Sequence, residues 1–411
     1  MRILFIHQNF PGQFKHLAPV LAGLGHQVFA LAVNQPTERL EGVSVVRYAI
    51  QSARDSGKIP GMPELDELHA KVIRGKAAAS AMQALKEKGF VPDVVFAHPG
   101  WGEALFVKDV FPACRLLVYG EYYYGAEGGD TCFDPEFSQP SLANSQRITL
   151  KNTHLLHALS ACDAALSPTV FQKMQHPVWG QDKIKVIHDG IDTNRFRPNP
   201  SAWVQLKSAG LKLQAGDEVV TFVARHLEPY RGYHIFMRAL PLLQKLRPQA
   251  RVVIVGGDGV SYGAPAPKGE SWKSLCLKEV GDRLDLQRIH FVGKVPHGLL
   301  TQLMQVSATH VYLTYPFVLS WSLLEAMSIG CLIVGSDTAP VREVIEHQKN
   351  GILIDFFDPE NLAQTVANTL ENAEKLKHLR VTARESVIRN YDFHSVCLPA
   401  QVKFVLETST K

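Results

Sequence analysis

Two arginines a few residues apart can hold a diphosphate. Arg225 and Arg231 lie in Ala224-Arg225-His226-Leu227-Glu228-Pro229-Tyr230-Arg231-Gly232, directly after the strand-like run Val219-Val220-Thr221-Phe222-Val223. A guanidinium keeps its charge and offers two parallel N–H groups to phosphate oxygens. A helix opening near Gly232-Tyr233 would add backbone donors and a favourable dipole. Spacing alone fits surface cations paired with Glu228 equally well. Glu325 follows in Ser320-Trp321-Ser322-Leu323-Leu324-Glu325-Ala326-Met327. A carboxylate opening a helix can accept the hydroxyls of a ribose diol, or simply favour the helix dipole. Gly256-Gly257-Asp258-Gly259 ends another strand. Gly257 can let a ligand approach the backbone, although a turn explains these glycines more simply. The G-x-G-x-x-G dinucleotide spacing is absent. In Phe291-Val292-Gly293-Lys294-Val295-Pro296 the backbone at Val295 can read a base edge while the Lys294 stem covers the base.

The first half offers a second set. Gly12 and Gln13 lie in the loop Pro11-Gly12-Gln13-Phe14, where free N–H groups suit an anion or a sugar hydroxyl. His98 ends the strand Val94-Val95-Phe96-Ala97 and opens Pro99-Gly100-Trp101-Gly102. Its place fits a site residue and an ordinary hydrogen-bonded histidine about equally. The acidic, aromatic segment from Glu121-Tyr122-Tyr123-Tyr124 to Asp134-Pro135-Glu136-Phe137 can bind an acceptor sugar or simply pack. No D-x-D triplet occurs, so the usual carboxylate holder of a metal on a nucleotide diphosphate is missing. Arginine charge would replace it, and no metal or other cofactor is expected.

Elements must position these groups. Arg2 to His7 reads as a strand, Phe14 to Leu24 as a helix and Gln27 to Leu31 as a strand, a βαβ opening. Further strands are expected at Val43–Val46, Val94–Ala97, Arg115–Tyr119, Ala164–Leu166 and Ile184–Ile187. Helices are expected at Leu65–Lys88, with a break, and at Asn144–Cys162. Two prolines in Phe196-Arg197-Pro198-Asn199-Pro200 mark a boundary, after which strand and helix alternate again. The reading is α/β: two Rossmann-like, doubly wound domains facing across a cleft that holds the active site. The first spans 1–196 and the second 197–385, with a helical tail over 386–411 that can cross back.

With 411 residues, 46% hydrophobic and 20% charged, the chain has ordinary globular composition. A net charge of +4 does not suggest a nucleic-acid binder but permits transient contact with a membrane surface. Six scattered cysteines form no C-x-x-C pair, and no run is apolar enough for a transmembrane helix. A cytoplasmic protein, with peripheral contact at the inner face of a membrane, is the expectation.

Taken together, these motifs resemble the family 4 retaining glycosyltransferases of the GT-B fold. Met1-Arg2-Ile3-Leu4-Phe5-Ile6 with Pro11-Gly12-Gln13-Phe14 and Gly25-His26-Gln27-Val28 is similar to the family's amino-terminal unit. Val186-Ile187-His188-Asp189-Gly190-Ile191-Asp192 resembles its interdomain segment. Arg225 and Arg231 match its Arg and Lys diphosphate ligands, and Glu325-Ala326-Met327 with Gly330 resembles the second half of its E-x(7)-E motif. Phe317 stands where the first glutamate is expected, and Val318-Leu319-Ser320-Trp321-Ser322 replaces the glycine-rich run between the glutamates. Arg231 replaces the family's lysine.

The resemblance implies transfer of a hexose-type sugar from a UDP- or GDP-sugar to a saccharide, lipid-linked or other hydroxyl acceptor, with retention. The setting would be bacterial glycoconjugate or cell-envelope polysaccharide synthesis. In that reading Arg225 and Arg231 stabilise the leaving diphosphate, Glu325 holds the ribose and His98 contacts the donor sugar. Gly12, Gln13, Gly257, Lys294, Val295, Ser320, Trp321 and Ser322 complete the donor site. A non-catalytic nucleotide-sugar-binding protein and a nucleotide-sugar epimerase on the same scaffold are the alternatives. A Rossmann oxidoreductase is disfavoured by the missing fingerprint.

Overall fold

A computed structural model describes residues 1–34, 39–50, 62, 65–206 and 210–407. The last residues of the predicted tail, 408–411, lie outside them. The chain divides into two units, Met1–Asp189 with His394–Lys411, and Gly190–Phe393.

Among the described residues the first unit is built on a seven-stranded sheet. Its strands are β1 Arg2–Ile6, β2 Gln27–Ala32, β3 Val43–Arg47, β4 Val94–Ala97, β5 Arg115–Tyr119, β6 Ala164–Ser167 and β7 Ile184–Val186. They pair in parallel in the order β3-β2-β1-β4-β5-β6-β7. The helices are α1 Leu17–Gly23, α2 Asp66–Glu87, α3 Val107–Val110, α4 Leu142–Ala161, α5 Val170–Gln175 and α6 Val178–Gln181. The strands read as near-continuous apolar runs because both sheet faces are covered. Leu4, Ile6, Val95 and Val118 join Met82 of α2 and Leu159 of α4 in one layer. Ile3, Phe5, Phe96 and Leu117 join Leu21 of α1 in the other, with Phe404 and Val405 of the terminal helix Leu398–Leu406. Arg115 ties that helix down by donating to the Phe404 and Val405 carbonyls (3.3 and 3.0 Å), which lack intrahelical partners.

Two local expectations change. The break predicted inside Leu65–Lys88 is absent, and α2 runs unbroken. Its Gly75 serves packing, since a Cβ there would come within 2.8 Å of the Gly102 carbonyl. The helix predicted from Phe14 starts at Leu17 and is preceded by a 3-10 turn over Gly12–Phe14.

The second unit opens with the antiparallel hairpin β8 Trp203–Leu206 and β9 Leu211–Gln214, which the sequence reading missed because its short strands mix polar with apolar residues. A six-stranded sheet follows: β10 Val219–His226, β11 Arg251–Gly257, β12 Ile289–Gly293, β13 Thr309–Tyr312, β14 Leu332–Ser336 and β15 Ile352–Ile354. Its order is β12-β11-β10-β13-β14-β15, all parallel. The helices are α7 Tyr233–Leu246, α8 Trp272–Val280, α9 His297–Gln305, α10 Trp321–Ile329, α11 Ala339–Arg342, α12 Pro359–Glu371 and α13 Lys377–Tyr391. The boundary expected at Phe196–Pro200 falls inside this unit. Phe196 is buried in its core with Leu323 and Met327, and Ile191 bridges to Asp392. The boundary expected at 385/386 likewise falls inside α13.

Each sheet reverses strand order once, between β1 and β4 in the first unit and between β10 and β13 in the second. Ligands of open parallel sheets bind at the carboxyl ends of the strands beside such a switch point. Gly12, Gln13 and His98 follow β1 and β4, and Arg231 and Glu325 follow β10 and β13.

Burial also sets an acid limit. It pushes the His7 imidazole down to about 3 and those of His154 and His310 down to about 4, from an ordinary 6.5. These rings are neutral in the folded state and take up protons on unfolding, so stability is full above pH 6.5 and drains as pH falls towards 4. Each ring costs about 1.4 kcal/mol per pH unit in that window. A pH series of thermal melts is expected to show a steep fall in Tm below pH 6.5.

Candidate active site

The second unit places one arginine near the end of β10 and a second in the turn that follows, beside its switch point. β10 continues through His226, so Arg225 stands on the strand rather than past it. Arg225 is exposed and makes no hydrogen bond or ion pair among the described residues. Arg231 ends the 3-10 turn Pro229–Arg231 and is buried. Gly232, at φ 66°, turns the chain from there into α7; a Cβ on it would lie 2.4 Å from Leu313 Cβ. Nη1 of Arg231 donates to Thr314 Oγ1 (2.7 Å), the Val318 carbonyl (3.1 Å) and Tyr312 Oη (3.3 Å). All three acceptors are neutral, so a buried guanidinium keeps its full charge. That is costly unless an anion joins it.

The pairing with Glu228 that spacing allowed does not occur. The Glu228 carboxylate is buried and accepts the backbone N–H groups of Ser261, Tyr262 and Gly263 (3.1, 3.2 and 3.0 Å). It thereby fixes a loop whose Tyr262 ring lies 5.2 Å from the Arg231 guanidinium and 5.0 Å from the buried ring of Phe317. His226 Nδ1 bonds Ser261 Oγ at 2.7 Å on the same loop.

Gly257 is the last residue of β11, and a Cβ there would meet Lys294 Cε at 2.7 Å and His226 Cδ2 at 3.0 Å. Lys294 is exposed. Val295 borders a groove of about 750 Å³ between the β8–β9 hairpin and α9, which neither arginine lines.

Glu325 does not open its helix as expected. Ser320 is the N-cap of α10, which places Glu325 beyond the first turn, buried, with Oε1 3.1 Å from His297 Nε2. Two backbone donors at the start of this helix are already taken. The Ser320 N–H bonds Tyr312 Oη (2.9 Å) and the Ser322 N–H bonds Ser320 Oγ (3.3 Å). Trp321 is half exposed at the helix start.

The first unit gathers His7, Gln13, His98 and Glu121 at the ends of β1, β4 and β5. The Asn9 N–H donates to His7 Nδ1 (3.0 Å), and the Gly100 N–H donates to His98 Nδ1 (3.1 Å). A backbone N–H can only donate, so both neutral rings carry their proton on Nε2. His7 Nε2 donates to Gln13 Oε1 (3.0 Å), and Gln13 Nε2 donates to Glu121 Oε1 (3.2 Å). His98 Nε2 lies 3.3 Å from Glu121 Oε2, off the line of a hydrogen bond. Trp101 packs on both imidazoles, with ring centroids 4.8 Å from His7 and 4.6 Å from His98. Beyond Glu121 the loop turns inward. Tyr122 is buried and donates to Asp130 (3.1 Å), and Asn152 pins the Tyr124 backbone.

Gly12 has φ 48°, and a Cβ on it would sit 2.4 Å from His7 Nε2. Gly12→Ala should therefore displace His7 and break its bond to Gln13. The measurable outcomes are a lowered Tm, by about 1–3 kcal/mol of stability, and a changed His7 imidazole signal in an NMR spectrum.

Residues 24–196 match the family described as Glycosyl transferase family 4 group, and residues 205–386 match Glycosyl transferases group 1. The chain belongs to the family 4, group 1 glycosyltransferases. A D-inositol 3-phosphate glycosyltransferase of Jonesia denitrificans is 25% identical to this chain over 240 residues, 57% of this chain and 50% of that one. A GDP-mannose-dependent alpha-(1-6)-phosphatidylinositol monomannoside mannosyltransferase of Mycobacterium tuberculosis is 24% identical over 207 residues, 50% of this chain and 51% of that one. The chain spans about half the length of these curated relatives. Among solved structures, Anabaena HepE in complex with UDP is 17% identical, with a TM-score of 0.66 over 99% of both chains. Sucrose-phosphate synthase of Thermosynechococcus elongatus is 15% identical, with a TM-score of 0.72 over 98% of both. These likenesses give the chain the GT-B fold, two parallel-sheet α/β domains.

Sequence reasoning missed His7, Glu228, Tyr262 and His297. His7 ends β1 as His98 ends β4, so the same signal was present. The roles of Glu228 and His297 depend on partners distant in sequence, which no local pattern reveals.

Proposed function

We propose that the protein is a retaining glycosyltransferase that moves a sugar from a UDP- or GDP-sugar to a hydroxyl acceptor, with no metal required. The observation that carries this reading is Arg231, a buried guanidinium whose hydrogen-bond acceptors are all neutral, with Arg225 exposed and without a hydrogen-bond or ion-pair partner among the described residues near the end of the preceding strand. The donor's diphosphate lies against these two cations and the amino-terminal end of α7. As the bond from the sugar's anomeric carbon to the diphosphate breaks, its electron pair leaves on phosphate oxygen, and the arginines stabilise that growing charge. The acceptor oxygen bonds the same carbon on the same face, and its proton passes to the departing diphosphate. Glu325 accepts ribose hydroxyls, with His297 holding its other oxygen in place. Gly257, Lys294 and Val295 flank the base, and Ser320, Trp321 and Ser322 border the diphosphate. His98, Gly12 and Gln13 serve sugar and phosphate groups. Support for the donor class comes from HepE, solved with UDP and with UDP-glucose, and from the mannosyltransferase named for GDP-mannose. The acceptor is a saccharide or lipid-linked hydroxyl of a bacterial glycoconjugate, reached from the cytoplasm, with transient contact at the membrane surface.

The test is incubation with UDP- and GDP-sugars and a panel of hydroxyl acceptors in EDTA, with the product anomer read by NMR. Transfer with retention is expected. Binding without transfer would favour a nucleotide-sugar-binding protein, and an isomerised sugar without acceptor would favour an epimerase.

A further inference from the structure

We propose that the groove between the β8–β9 hairpin and α9 is a saccharide-binding site that holds a neutral oligosaccharide outside the catalytic centre. The proposal rests on membership of a sugar-handling family and goes beyond the donor reading. Neither arginine lines the groove, nor does Glu325, and Val295 alone is shared with the donor residues. Its volume of about 750 Å³ falls in the usual range for ligand clefts. Successive residues of a strand point to opposite faces. All four residues of β8 nevertheless border the groove, so it runs along the edge of that strand. The edge is free, since β8 pairs only with β9 among the described residues. On the other wall α9 presents Leu299, Gln302 and Gln305 at helical spacing.

The lining carries no charged side chain among the described residues, in a chain of which 20% is charged. An ionic ligand would lose water there and gain no counter-charge. A purely apolar ligand would cover amides without satisfying them. Four carboxamides border the groove, those of Asn199, Gln205, Gln302 and Gln305. Asn199 Oδ1 accepts the Ser201 N–H (3.1 Å), which leaves its NH2 group to donate. Gln305 Nε2 donates to the Arg197 carbonyl (2.9 Å), which leaves its oxygen to accept. The side chains of Gln205 and Gln302 make no hydrogen bond among the described residues. A free amide matches two neighbouring hydroxyls, donating to one and accepting from the other. Phe291 and the 55% exposed Trp203 add aromatic surface, which suits the apolar faces of sugar rings. Lys212 Nζ, 5.1 Å from the Trp203 ring centroid, steadies that ring. A neutral, hydroxyl-rich ligand with apolar faces is a saccharide. Held here, an acceptor or product chain stays at high local concentration between transfers.

The experiment is an NMR titration of the full chain with isotope-labelled tryptophan. The Trp203 indole signal is assigned by its loss in Trp203→Phe. The probes are neutral hexasaccharides of glucose, mannose and N-acetylglucosamine, with hexagalacturonate as the charged control. At least one neutral hexasaccharide should shift the Trp203 signal with half-saturation at about 1 mM or below, and hexagalacturonate should not. A Gln205→Ala, Gln302→Ala double variant, checked for folding by its melting curve, should bind that sugar at least about tenfold more weakly. No Trp203 shift with any neutral hexasaccharide up to about 10 mM, or a titration unmoved by the double variant, overturns the proposal. Binding of hexagalacturonate as tight as that of the neutral chains overturns the assigned ligand class. A Trp203 signal that moves with protein concentration and not with sugar gives the groove to a second copy paired along β8, and overturns the proposal too.

Discussion

Arg225→Ala is expected to melt with the wild-type curve and to transfer sugar roughly 10²–10³-fold more slowly. The two halves of that result have separate causes. Arg225 is exposed at the end of β10 and has no hydrogen-bond or ion-pair partner among the described residues. Its removal strands no buried group, so stability should move by no more than about 0.5 kcal/mol. The turnover loss follows from charge. A cation placed where negative charge develops acts mainly in the transition state, so kcat should fall more than KM rises. Arg225→Lys should recover only part of the loss, because an ammonium cannot make the two parallel bonds of a guanidinium. Thermal melts and initial rates on the same preparation check both halves. Near-normal transfer by Arg225→Ala would remove it from the reaction.

Glu228→Ala is the second large effect and acts on a different link. The carboxylate organises the loop by accepting three successive N–H groups, from Ser261, Tyr262 and Gly263. Alanine leaves those donors without an acceptor, a loss of about 2–5 kcal/mol for a buried, charge-assisted set unless the loop opens to water. Opening would carry Tyr262 away from Arg231 and Phe317. The variant should therefore both melt earlier and bind nucleoside diphosphate more weakly. Glu228→Gln, which keeps one acceptor oxygen, should fall between the two. A variant of unchanged stability and unchanged affinity would show that the loop needs no carboxylate.

How much of this was legible in the sequence follows from the range of the interactions. β4 and β5 could be bounded to the residue because apolar runs stop at turn residues. The two-domain α/β plan followed from strand–helix alternation. The β8–β9 hairpin escaped because its short strands, Trp203–Leu206 and Leu211–Gln214, mix polar with apolar residues and form no apolar run like that of β4. At the site, Arg225, Arg231 and His98 drew attention because charged or titratable residues followed strands. Their environments were not legible. That Glu228 serves a loop rather than an arginine, and that Glu325 meets His297, depends on packing between segments far apart in the chain. That two backbone N–H groups of the Ser320–Ser322 segment are taken by Tyr312 and by Ser320 itself was equally hidden. Gly12 carried a signal whose meaning only the His7 contact explains.

The central claim is that the second unit binds a nucleoside diphosphate through Arg225 and Arg231 without a metal. Its most direct test is a thermal-shift titration of the full chain with UDP, GDP, ADP and TDP in EDTA. One of them, held near 100 times its Kd, should stabilise the protein by about 2.7 kcal/mol, and an Arg225→Ala, Arg231→Ala double variant should lose most of that gain. No shift with any nucleoside diphosphate, or an equal shift in the double variant, would contradict the account.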